Sequence, residues 1–129
     1  MVTDRVGDFI IRLKNAGAIG KHTVVVPFSK HVESIAYKLK ELGYLADVKK
    51  SKVPYSFEVE LALDDRGNSK ITDVKRVSKP GRRLYKGADD THSVKNGIGA
   101  RIMSTPKGIL SDREARNLHT GGEELFKIW

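Results

Sequence analysis

The 129-residue chain contains no cysteine, one tryptophan, four prolines and only 7% aromatic residues. Without cysteine there can be no disulfide framework, no thiolate zinc site and no thiol nucleophile. No apolar run exceeds a few residues, so no segment reads as membrane-spanning. The opening MVTDRVGDFIIRLKN lacks a signal-peptide core, and Asp4 and Asp8 speak against a transit peptide. Acid is also scarce: 16 Asp+Glu against 24 Lys+Arg leave a formal charge of +8. These features describe a soluble, cytoplasmic protein whose surplus positive charge favours an anionic partner.

What is present reads as α+β. Val6, Phe9, Ile10 and Leu13 fall at helical spacing within residues 3–16, with Thr3 placed to cap, Asp4 in the first turn and Gly17 as a stop. TVVVP, 23–27, is a short β-branched strand. Ser29 then opens a second helix whose inner face is Val32, Ile35, Ala36, Leu39 and Leu42, and Gly43 ends it. Strands follow near 44–50 and 56–63, the second alternating Phe57, Val59, Leu61 and Leu63 with Glu58, Glu60 and Ala62. The polar segment DDRGNS, 64–69, marks a subdomain boundary, dividing an α-β-α-β-β half, 1–66, from a mainly β half, 67–129. In the second half a strand covers 99–104. Ser111 with Glu114 forms a capping box for a two-turn helix, and EELFKIW alternates as a closing strand.

Charge is unevenly placed. Residues 1–63 carry 10 basic and 7 acidic residues, residues 64–100 carry 9 and 5, and residues 101–129 carry 5 and 4. Lys75, Arg76, Lys79, Arg82, Arg83 and Lys86 place six cations in twelve residues with no acid among them, and Lys49, Lys50 and Lys52 form a smaller cluster. A solvated charged face would look the same. Pro80-Gly81, however, puts a turn within the larger run, and Tyr85 supplies an interleaved ring. Such cations neutralise phosphates without reading sequence.

Two loops could discriminate. Ser104-Thr105-Pro106-Lys107-Gly108 offers two adjacent hydroxyls for base edges or ribose 2′-hydroxyls and a lysine for phosphate, groups suited to single-stranded or distorted RNA. Thr120-Gly121-Gly122-Glu123 has no bulk to hold a ligand backbone away. Its Glu123 would repel phosphate, but it could accept from a base amino group or orient a neighbouring lysine. A plain turn explains either loop equally well.

VSKPGRRLYK, NGIGARIMSTPKGILSDREAR and TGGEELFKIW, in that order, resemble the C-terminal half of the small-subunit ribosomal protein S8 family. The N-terminal half fits through Asp8 to Ala16, then VPFSK and ELGY, so the resemblance spans essentially the whole chain. It implies a two-domain α+β protein that binds the central domain of small-subunit ribosomal RNA early in assembly, beside neighbouring ribosomal proteins. It implies RNA contacts from Ser104, Thr105, Lys107 and Gly108, from Gly121, Gly122 and Glu123, and from Lys79, Arg82, Arg83 and Tyr85. Thr3, Arg12, Asn15 and Lys30 would touch adjoining RNA. Some bacterial members also bind their own messenger RNA and repress translation. Two departures stand out. Pro106 replaces the usual serine of Ser-Thr-Ser-Lys-Gly, removing a hydroxyl and an N–H. Arg101 stands where a small or apolar residue is usual, and it would face outward or meet a phosphate.

Rival readings fare worse. Ser104, Asp112 and His119 supply the residue types of a hydrolytic triad, but there is no nucleophile elbow, and Asp112 suits the first turn of a helix. His22, His31, His92 and His119 show no ligand spacing. An adaptor for acidic proteins would share the charge without needing the paired hydroxyls. No catalysis, cofactor, metal or small-molecule substrate is therefore expected.

Overall fold

The computed structural model describes residues 4–79, 81–87 and 99–129, so the Thr3 cap and Pro80 lie outside the described residues. Its contacts group into two units, residues 8–72 and residues 73–129, the latter joined by the residues up to Gly7.

The first helix, α1 (Arg5–Ala18), begins one residue after Asp4. The Asp4 carboxylate accepts from the Gly7 amide at 3.0 Å, so Asp4 takes the cap position expected of Thr3. Gly17 does not stop the helix. It lies in the last turn, where a Cβ would stand 3.0 Å from that of Ser69, and the left-handed residue is Gly20, at φ +75°.

The 8–72 unit carries a three-stranded antiparallel sheet of order β1 (Thr23–Pro27), β3 (Ser56–Leu61), β2 (Leu45–Lys50). Pro27 is tolerated because β1 is an edge strand. Central β3 alternates as expected, burying Phe57, Val59 and Leu61. Helix α2 (Lys30–Leu42) packs along β2 and buries Val32, Ile35, Ala36 and Leu39, while Leu42 is only half-buried. Ser29 holds the N-cap position in extended backbone, but its hydroxyl makes no cap bond. At the other end Gly43, φ +93°, donates to the Lys40 carbonyl and Tyr44 to that of Leu39, a Schellman closure. Phe9 packs on Phe57 with ring centroids 6.4 Å apart. Each such fully buried side chain stabilises the unit by roughly 1.5–3 kcal/mol.

Residues 64–69 form a tight turn inside this unit, with the Asp64 carboxylate accepting from the amides of Arg66 and Asn68 and Gly67 at φ +83°. Leu63, expected within the strand, instead makes an isolated bridge to Ser69.

In the other unit, β8 (Gly122–Ile128) is central. On one side it pairs with β6 (Ala100–Thr105), which pairs in turn with β7 (Gly108–Ser111). On its other side lie β4 (Val74–Arg76) and β5 (Tyr85–Lys86). Helix α3 (Asp112–Asn117) follows β7 with the expected capping box intact. Two expectations give way. Residues 104–108 are not an open loop but the end of a β6–β7 hairpin, with Ser104 and Thr105 still in β6, Gly108 already in β7 and Pro106 and Lys107 turning between them. EELFKIW does not alternate cleanly, because Glu124, Leu125 and Phe126 are all buried. Ile102 pairs with Phe126 but Met103 with Glu124, so Leu125 is the extra residue of a β-bulge.

Candidate nucleic-acid interface

Strand register gathers residues that are far apart in sequence. Tyr85 of β5 and Ser104 of β6 both pair with Glu123 of β8, so the three stand in one cross-strand row. Directly opposed residues share a face of the sheet. Gly122, next in β8, pairs with Lys86, and a Cβ there would sit 2.2 Å from the Ser104 carbonyl oxygen. What this glycine admits is the chain's own β6 backbone and not a ligand. Gly121 precedes it, half-buried, in the turn after α3.

The hairpin tip is rigid by construction. Thr105 pairs with Gly108 across Pro106 and Lys107, with Pro106 pre-setting its own φ and Gly108 taking φ +110°. The Thr105 hydroxyl accepts from the Lys107 amide at 3.1 Å and donates to the Gly108 carbonyl at 2.8 Å. It is therefore engaged in holding the turn, with its one proton given to Gly108. The half-buried Ser104 hydroxyl has no partner among the described residues. Lys107 donates through Nζ to the Leu118 carbonyl at 3.2 Å, near the end of α3.

The basic run divides into cations held inside the fold and cations left to solvent. Lys79 and Arg82 form an isolated antiparallel bridge, exchanging backbone hydrogen bonds of 2.9 Å in each direction. Fully buried Ser78 anchors its base, since its hydroxyl accepts from the Leu84 amide at 2.8 Å and donates to the Leu84 carbonyl at 3.1 Å. Arg76 is largely buried, pairs with Asp4 and donates to the Ser78 carbonyl, so it is not part of the exposed cluster. Burial by itself would raise the Asp4 pKa. Hydrogen bonds from Arg76 and Gly7, with the charges of Arg76 and Arg83, outweigh that and hold the carboxyl below its ordinary value. Arg83 donates to Glu123 at 3.1 Å, so Glu123 orients an arginine rather than a lysine. Lys75, Lys79, Arg82 and Lys86 are exposed and make no ion pair among the described residues.

Beneath the row lies a buried polar frame that the sequence reading missed. Arg101 does not project outward: its largely buried guanidinium pairs with buried Glu124. The Arg101 amide donates to Asp112 at 3.1 Å, and Asp112 also pairs with Arg116 at 3.0 Å. Asp112 is thus committed to β6 and α3 rather than to His119, which sits exposed at φ +52° just past α3. Only an arginine at an apolar position hinted at this frame. On the same sheet Lys75, Lys127 and Arg101 stand in a cross-strand row. Burial, then the charge of Arg101 and those of Lys75 and Lys86, lower the Lys127 pKa, and Glu124 offsets only part of this.

In the 8–72 unit, Arg12 and Asn15 line a depression of about 560 Å³ with Lys21 and Thr23. Arg12 is steadied by Asp8 at 2.9 Å and donates to the Val25 carbonyl at 3.3 Å. Lys30 opens α2, exposed, and does not line that depression.

Comparison with known proteins points one way. Residues 4–129 match the family model described as Ribosomal protein S8. The chain is similar to proteins named small ribosomal subunit protein uS8. Identity is 41% for that of Helicobacter pylori strain Shi470, over all of both chains. For that of Coxiella burnetii strain Dugway 5J108-111 it is 42%, over 99% of each.

Proposed function

Since the chain belongs to the ribosomal protein S8 family, we propose that it acts by binding the central domain of small-subunit ribosomal RNA directly, early in subunit assembly. As a member of this family it is a structural constituent of the small subunit of the cytoplasmic ribosome and not an enzyme. The observation that carries the RNA reading is the row Tyr85–Glu123–Ser104, flanked by the exposed cations Lys79, Arg82 and Lys86.

The chemistry divides by residue. Ser104 reads a base edge or a 2′-hydroxyl, and Tyr85 stacks on an unpaired base. Lys79, Arg82, Lys86 and Lys107 neutralise phosphates, while Arg83 does so under the control of Glu123. Thr105, Gly108, Gly121 and Gly122 shape the backbone that presents these groups. Thr3, Arg12, Asn15 and Lys30 contact adjoining RNA, next to other small-subunit proteins. A messenger segment folded like the ribosomal site would meet the same groups, which allows the chain to repress its own translation.

The test is filter binding of a central-domain RNA fragment. Ser104→Ala should weaken binding about tenfold with melting unchanged, and Thr105→Val should weaken binding only alongside a loosened hairpin. With about four or five cations engaged, affinity should fall a few hundredfold between low and moderate salt. Unchanged affinity for Ser104→Ala together with a flat salt response would reject the reading.

A further inference from the structure

The three lysines near residue 50 remain unaccounted for, and two of them, Lys49 and Lys50, border a groove. Its volume is about 620 Å³, within the range of small-ligand sites, and it is built wholly from the 8–72 unit. One wall is α2 with the residue before its cap, offering Phe28, Glu33 and Tyr37. The other is the end of β2 and its connection to β3, offering Lys49, Lys50 and Tyr55; Lys52, exposed in the same connection, is not a lining residue.

Three aromatic side chains here are exposed: Phe28 at 48%, Tyr37 at 51% and Tyr55 at 94%. In a chain with only 7% aromatics this concentration is unusual. Exposing a whole tyrosine ring forfeits the burial that normally rewards it. Tyr55 also sits at φ +57°, a conformation costly for a bulky residue, held there as its carbonyl accepts from the Phe28 amide at 2.8 Å. Packing does not require either feature.

We propose that this groove is a second nucleic-acid site, one that takes unpaired nucleotides of single-stranded RNA. Bases stack on Tyr55 and Tyr37, and their phosphates lie along Lys50 and Lys52, which make no ion pair among the described residues. Lys49 is shared with Glu60 at 3.4 Å and adds a weaker contact. Glu33, on the α2 wall, repels phosphate from that side and accepts from a base N–H, so bases fill the groove between Tyr37 and Tyr55 while the backbone keeps to the lysine side. Charge decides between possible occupants. A protein segment would have to be acidic as well as aromatic-seeking, whereas RNA meets both demands at every nucleotide.

Fluorescein-labelled decauridylate, an unstructured RNA, tests this by anisotropy on the full chain. Tyr55→Gly relieves the left-handed backbone while removing the ring, so it should hold or raise the melting temperature yet, combined with Tyr37→Ala, weaken binding tenfold or more. The same tyrosine variant should bind the central-domain RNA fragment as tightly as the wild type does, which separates this site from the C-terminal one. Equal affinity of the tyrosine variant and the wild type would overturn the proposal, as would no binding by the wild type. Displacement of decauridylate by an acidic, aromatic peptide at lower concentration than by unlabelled RNA would overturn it in favour of a protein partner.

Discussion

Among the described residues, the 8–72 unit buries apolar side chains and the stem of Lys38, whose ammonium emerges to meet Glu41 at 2.9 Å. The 73–129 unit buries Ser78, Ser111, Asp112 and Glu124 as well as its apolar core. Both units are small antiparallel sheets with helical cover, so the difference does not follow from architecture. Three of these four polar groups in the second unit tie down elements that carry the Tyr85–Glu123–Ser104 row, while Ser111 caps α3. Ser78 fixes the base of the Lys79–Arg82 bridge, Asp112 holds β6, and Glu124 locks Arg101 across the bulged pair of strands. Polar burial there exchanges stability for position. An apolar core could be as stable, but it would not specify where those loops stand.

That contrast should show first in Glu124→Ala. Removing one member of a buried pair strands the other, so the 73–129 unit should lose about 3–5 kcal/mol, while Lys38→Met in the other unit should change stability by less than about 1 kcal/mol. Trp129 lies in the affected unit. Its fluorescence transition should therefore move to lower temperature ahead of the far-ultraviolet signal of α1 and α2. Identical shifts in both signals would dissolve the contrast.

Gly122→Ala comes next. Its Cβ would collide with the Ser104 carbonyl, so β6 and β8 must part, at a cost of about 1–3 kcal/mol. RNA affinity should fall with it. Gly20→Ala at an open left-handed site should cost about 1 kcal/mol, with RNA affinity unchanged.

The Asp4–Arg76 pair gives a pH test. Because the folded carboxyl is held below its ordinary 3.8, the unfolded chain binds the proton first. The stability it confers is whole above the ordinary value and lost as pH falls through the lowered one. Asp4→Asn keeps a cap acceptor but not the charge, so it should be less stable by roughly 1 kcal/mol near pH 6, and the gap should close in strong acid. Urea midpoints at the two pH values measure it.

Lys127 has the opposite sign and the smallest effect. Its lowered pKa means that charge is disfavoured in the fold, a penalty present at neutral pH and relieved as pH rises through the lowered value. Lys127→Gln should stabilise by a few tenths of a kcal/mol near pH 7, with the gain vanishing above about pH 10.5. A destabilised variant would mean that its attraction to Glu124 dominates.

Local rules were readable in the sequence. Helical spacing located α1 and α2, Ser111 with Glu114 marked the start of α3, and the alternation of Phe57, Val59 and Leu61 marked β3. Each depends on neighbours within four residues. The row of Tyr85, Glu123 and Ser104 depends instead on strand register across positions some twenty residues apart, which no local pattern encodes. Leu125 broke the alternation for the same reason, as a bulge exists only relative to a partner strand. The local use of the Thr105 hydroxyl, bridging Lys107 and Gly108, was not legible, because it depends on the geometry of the closed turn. The hairpin signal was nonetheless present: Pro at the second turn position and Gly at the fourth, between apolar pairs Ile102-Met103 and Ile109-Leu110.

The most direct test of the account is hydroxyl-radical footprinting of intact small-subunit ribosomal RNA. The comparison is between wild-type protein and a Tyr85→Ala, Ser104→Ala, Lys79→Gln, Arg82→Gln variant whose melting is unaltered. The account predicts protection confined to the central domain by the wild type, and its loss with the variant at moderate salt. Equal central-domain protection by both proteins, or protection elsewhere only, would contradict it.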